Sequence, residues 1–194
     1  MMDKCAFGLI VMILVVGISP PSSFAADSHS QAPYAGQQAR TIKSLSADDI
    51  EALRQGRGWG FAKPAELNGY PGPLHVLELD TKLGLSEKQR QRIKAIFADM
   101  KVKAQQVGRE FLAVEQALDA AFGEGIATPA KIDELTQSAA HLRAKLQSVH
   151  LNAHLLTAPL LSKAQLHHYA VLRGYAGGAR GENGPHKKGS HSGH

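Results

Sequence analysis

Cysteine is nearly missing from this sequence: of 194 residues only Cys5 carries a thiol, and it lies in the N-terminal run. If that run is a leader, the mature chain has no disulfide, no thiolate metal ligand and no cysteine nucleophile. Aromatic residues make up only 6%, and β-branched runs are few beyond the N-terminus. A sandwich or barrel core therefore has little to be built from, and an all-α protein with a slim core is expected. Gly-x-Ser-x-Gly and His-Glu-x-x-His are both absent. Glu110 with Glu115, and Asp119 with Glu124, read as solvated helix charges. The geometric roles of an active site are thus unfilled, and no enzymatic activity is expected. The formal charge is +5 and the pI about 9.4. The positive residues, however, are scattered through acidic helices without interleaved aromatics or a recognised nucleic-acid motif, so nucleic acid is not expected as a partner.

What is present begins with Lys4, the apolar run from Ala6 to Ile18, and Ser19-Pro20-Pro21. This is the layout of a secretory signal, and the run falls short of the roughly 20 apolar residues that span a bilayer. Ser23 and Ala25 put small residues where a signal peptidase reads, predicting cleavage before Ala26 and export of residues 26–194. Residues 26–43, rich in Ser, Gln, Ala and Gly, read as a disordered linker. Residues 44–176 read as the helical domain. From 177 to 194 the chain is Gly-rich, basic and His-bearing, a disordered tail.

The helical domain is organised around two apolar stripes. Ile93, Phe97, Met100, Ala104, Val107, Phe111, Val114, Leu118 and Ala121 recur at steps of three and four. After Gly123-Glu124-Gly125, so do Ile132, Leu135, Ala139, Leu142, Leu146, Val149, Ala153 and Leu156. Such stripes predict two long helices folded back on each other as an antiparallel hairpin. Ser86 with Gln89 forms a capping box for the first long helix, to about Phe122, with Gly108 as a possible bend. Thr128-Pro129 starts the second, to about Thr157. Ser162 with Gln165 repeats the box for a short last helix. Upstream, Ser46 caps a short helix that stops at Gly56-Arg57-Gly58-Trp59-Gly60. That cluster lacks the glycine spacing and Lys-Ser/Thr pair of a phosphate loop, and reads as a helix stop with Trp59 folded onto the core. A turn follows through Pro73, then a helix to about Lys82, ended by Gly84.

Leu85-Ser86-Glu87-Lys88-Gln89 and Leu161-Ser162-Lys163-Ala164-Gln165, on an exported helical chain, resemble the paired LTxxQ motifs of the Spy/CpxP family, with Ser for Thr. Ala65-Glu66-Leu67-Asn68-Gly69-Tyr70-Pro71-Gly72-Pro73, His75-Val76-Leu77-Glu78-Leu79 and Leu172-Arg173-Gly174-Tyr175 are similar to its periplasmic heavy-metal-sensor, CnrX-like branch. The resemblance covers roughly residues 45–176. It implies a periplasmic curved helical hairpin that pairs into a homodimer. Its implied roles are metal sensing, ATP-independent chaperoning of unfolded periplasmic proteins, and inhibition of a membrane stress sensor.

Two constellations are candidates for function. His150 and His154, spaced i, i+4, share one helix face beside the stripe and suit two imidazole ligands on one divalent ion. Zn, Ni, Co and Cu all match in softness, although no cofactor is required by the sequence. His75 or Glu78, which share a face, would supply a third ligand; His167 and His168 are further candidates. The plainer reading is that His150 and His154 simply pack between helices. His186, His191 and His194 in the tail offer weak chelation. The second constellation is apolar surface: Ile96, Val102, Leu112, Leu151 and Leu155 would dock flanking helices, line a dimer interface or receive unfolded clients.

Overall fold

The computed structural model describes residues 32–176; the expected leader, the start of the linker and the tail lie outside them. The chain divides into a unit ending at Ala35, whose described part is a turn, and a unit from Gly36 onward. Among the described residues, all regular structure is in the second unit and is helical, with no strand. Four short helices come first: α1 (Ala47–Arg54), α2 (Lys63–Glu66), α3 (Pro73–Glu78) and α4 (Asp80–Leu83). Two long ones follow, α5 (Glu87–Gly123) and α6 (Pro129–Thr157). A 3-10 turn (Ala158–Leu160) then leads into α7 (Lys163–Leu172). None of these helices is long and apolar enough to cross a membrane.

The long helices form where the stripes are. With 37 residues, α5 is about 55 Å long at a rise of about 1.5 Å per residue. It packs along α6 in the opposite direction, so that Glu110 meets Lys145 at 4.0 Å. Ile93, Met100, Ala104, Val107 and Phe111 of α5 are buried, as are Ala139, Leu146 and Ala153 of α6. Truncating a fully buried residue of this kind, such as Leu146, costs about 2–5 kcal/mol. Leu156, expected in the stripe, is 57% exposed instead.

Two apolar clusters result. One joins Ile42, Leu45, Leu53 and Phe61 to the middle of α5 and α6. The other joins Val76, Leu83, Leu85, Leu161 and Tyr169 to Ile93. Leu112 belongs to the first cluster and is buried, which removes it from the expected surface patch. Ile42 is buried there too. Lys43 bonds Asp119 at 3.1 Å and Ser44 bonds Glu115 at 2.6 Å, so the packed chain begins before residue 44 and the linker is shorter than expected. At Gly108 a Cβ would lie 2.4 Å from the Leu53 carbonyl oxygen. Its lack of a side chain is what lets α1 lie directly on α5.

The helix expected from Pro73 to Lys82 is interrupted at Leu79 and becomes α3 and α4. Gly84 ends α4 in the left-handed conformation, φ +60°. Asp80 of α4 receives two bonds from Arg90, from Nε at 2.5 Å and Nη2 at 3.2 Å. These bonds hold the Asp80 carboxyl below its usual range.

Both Leu-Ser-x-x-Gln boxes form as capping boxes, and they clasp each other. Each glutamine oxygen accepts the amide of its own cap, Ser86 and Ser162, at 2.9 Å. Each glutamine nitrogen then donates across: Gln89 to Leu160 O (2.8 Å) and Gln165 Oε1 (2.9 Å), Gln165 to Leu83 O (3.2 Å) and Gln89 Oε1 (3.3 Å). The motif occurs twice because each copy completes the other, tying the start of α5 to the start of α7.

Candidate functional site

Between the two apolar clusters a cavity of about 770 Å³ opens. Its walls come from the 57–60 turn, α3, residues 97–105 of α5 and residues 150–154 of α6. Roughly 300–1,000 Å³ is the usual range for small-molecule sites. Trp59 shapes one side. Its φ of +41° costs a residue with a side chain about 1–3 kcal/mol, and several contacts hold it there. Its indole nitrogen donates to Asp49 at 2.7 Å, its ring meets Phe61 edge-on at 5.3 Å, and Arg143 lies 5.3 Å over its face. Trp59 does fold onto the core, as its glycine-rich setting suggests. Asp49 is tied in addition to Ser46, which with the Trp59 bond holds its carboxyl low.

His150 and His154 both face this cavity from α6, and both are buried, 3% and 7% exposed. The Nε2 of His150 is enclosed yet meets no hydrogen-bond partner. Burial, helped by the neighbouring His154, pushes its pKa down to about 4, so the ring is a neutral imidazole at pH 7. His154 is held differently. Its Nδ1 lies 2.7 Å from the Tyr70 carbonyl oxygen; a carbonyl only accepts, so Nδ1 carries the proton. Its Nε2 is left without a hydrogen-bond partner among the described residues. Tethering one ring nitrogen to a backbone carbonyl is how proteins aim the other at a metal.

Gly72 makes that arrangement fit. A Cβ on Gly72 would lie 2.8 Å from His154 Cε1 and 2.9 Å from Nε2, so the Pro71-Gly72-Pro73 run is needed where the histidine ring packs. The amide of Gly72 donates to Glu66 Oε2 at 3.1 Å. Glu66, at the end of α2, also accepts from the Tyr169 hydroxyl of α7. It stands 3.6 Å from His154 Nδ1 and 3.7 Å from Arg173 Nε. Burial, with the Glu66 bond, pushes the Tyr169 phenol well above its ordinary value.

The remaining sequence candidates divide. His75 lines the same cavity, but its Nδ1 pairs with Glu78 at 2.9 Å, and Glu78 is exposed, outside the cavity lining. His167 and His168 are exposed on α7. The tail histidines lie outside the described residues. No group of three His, Cys, Asp or Glu side chains among the described residues is placed to hold one ion. The donor chemistry of His150 and His154 fits Zn, Ni, Co or Cu, as a pair rather than a closed set. Of the apolar candidates, Val102 and Leu155 are 65% and 54% exposed. Ile96 and Leu151 are half-buried, Ile96 lining a shallow groove with Val149 and Leu156.

Sequence reasoning did not single out Glu66, Tyr169 or Arg173 as site residues. Two of the three sat in plain view, since Glu66 and Arg173 belong to the stretches that carry the family resemblance. Their meeting across 107 positions has no periodic signature. No family model matches this chain, and no curated protein or solved structure does so either.

Proposed function

We propose that this chain is a periplasmic, metal-responsive binding protein of the Spy/CpxP type, a dimeric helical hairpin that acts by binding rather than catalysis. The observation that carries this reading is the pair His150 and His154. Both are buried on one cavity wall; His150 Nε2 is unpartnered, and His154 Nδ1 is tied back to Tyr70. A buried polar nitrogen without a partner costs about 1–3 kcal/mol, a cost more easily kept where a ligand relieves it. A bound Zn, Ni, Co or Cu ion would supply a positive centre there. The protein's part is to present two imidazole nitrogens, to fix the His154 tautomer through Tyr70, and to place the Glu66 carboxylate behind that ring.

Calorimetry on the full chain with its tail histidines replaced by glutamine tests this. One of the four metals should bind tightly, and His150→Phe or His154→Phe should each abolish that binding. Tight binding that survives both substitutions would remove the reading. A chaperone role for unfolded envelope proteins is the second reading, favoured by Val102, Leu155 and Leu156, which leave apolar surface exposed on the long helices. It predicts that stoichiometric protein slows aggregation of a denatured client without added metal.

A further inference from the structure

The cavity carries more than two histidines. Trp59, Phe97 and Leu74 give it apolar walls, while Arg57, Lys63 and Lys101 stand exposed around it. No carboxylate or hydrogen-bond acceptor among the described residues engages these three cationic side chains. The acid on the lining, Glu66, is occupied by Tyr169 and Gly72 and flanked by His154 and Arg173. Arg173, 3.7 Å away, offsets its charge, and Glu66 makes no ion pair with the three cations. The result is an apolar chamber with unpaired positive charge around it.

We propose that this cavity binds a small anionic amphiphile, of which a medium-chain carboxylate is the simplest member. Its head would draw on Arg57, Lys63 and Lys101, and its body would cover the indole of Trp59. A small inorganic anion would leave the apolar walls wet, and a cationic amphiphile of the same length would be repelled by the same three charges. A neutral apolar molecule would make no use of them. The volume suits a molecule of that size. Rim charges act through solvent, so the attraction weakens with added salt. The inference stands apart from the metal reading, since it uses the rim cations and the apolar wall.

Trp59 is the chain's single tryptophan, so its emission reports occupancy directly. The full chain, with chelator present, is titrated with decanoate, decyltrimethylammonium and acetate, and the same solutions are followed by calorimetry. Decanoate should bind saturably, with the other two weaker by about tenfold or more. The triple variant Arg57→Ala, Lys63→Ala, Lys101→Ala should lose about tenfold in decanoate affinity, roughly the sum of three exposed charge contacts. All three positions are exposed, so its thermal midpoint should stay close to that of the parent. Equal binding of decanoate and decyltrimethylammonium would overturn the proposal. So would a triple variant that binds like the parent, or decanoate giving neither heat nor a change in emission. Chelator keeps the two readings separable: loss of the metal result leaves the decanoate result untouched, and the reverse.

Discussion

At the clasp between the two serine-capped helices, each glutamine has partners for both its oxygen and its nitrogen, within its own box and across to the other. On the cavity wall, His150 Nε2 is shut away from water and has none. The clasp glutamines are half-buried and satisfied; the His150 nitrogen is buried and is not. A satisfied network of this kind holds helices in place and specifies their pairing. A bare buried nitrogen does the opposite, costing the fold the desolvation of a polar atom with no bond in return. Glu66 lies between these cases, with partners on several sides and a histidine behind which it waits.

The largest effect should come from breaking the clasp. Gln165→Leu removes the bonds to Ser162, Gln89 and Leu83 together and leaves Gln89 with Ser86 and Leu160 alone. At about 1 kcal/mol for each lost bond, stability should fall by about 3–4 kcal/mol in chemical denaturation. A loss below about 1 kcal/mol would mean that the clasp is incidental.

The next effect belongs to the cavity wall and depends on pH. In the unfolded chain His150 takes its proton near the ordinary 6.5, and in the fold near 4. Between those values the unfolded state binds more protons. The stability that comes from keeping His150 neutral is thus complete above pH 6.5 and is lost as pH falls through the window to 4. The loss should total up to about 3–4 kcal/mol, at roughly 1.4 kcal/mol per unit. His150→Phe should flatten that part of the pH profile. An unchanged profile in the variant would show that the histidine is not held neutral.

Smaller still is Tyr169→Phe, which takes the hydroxyl from Glu66 and should cost about 1–2 kcal/mol. Smallest is His150→Phe at pH 7, expected to stay within about 1 kcal/mol of the parent, since an apolar ring of similar size replaces an imidazole whose nitrogen had no partner. Set beside Gln165→Leu, this pair separates a polar group that supports the fold from one that does not.

The helices were legible because their signals are local. The serine caps at Ser46, Ser86 and Ser162, Thr128-Pro129 and Gly84 each mark an end through chemistry within four residues. The shared face of His150 and His154 is likewise a matter of helical spacing. What the sequence hid depends on long-range contact. The clasp needs Gln89 and Gln165 to meet across 76 positions, and the Glu66–Tyr169 bond spans 103. Gly108 looks like a weak point in a helix until Leu53 is seen lying on it. Leu112 has the period of a surface residue only while α1 and the segment before it are left out of the packing. Leu156 continues the stripe in sequence, yet its side chain is exposed beside a groove that Ile96 also lines.

Imidazole nitrogen NMR of the full chain, before and after substoichiometric metal, tests the central claim most directly. The account predicts a neutral His150 ring at pH 6, a proton on His154 Nδ1, and both Nε2 signals moving together when one of Zn, Ni, Co or Cu is added. A His150 already charged at pH 6, or a pair whose signals stay still with all four metals, would contradict it.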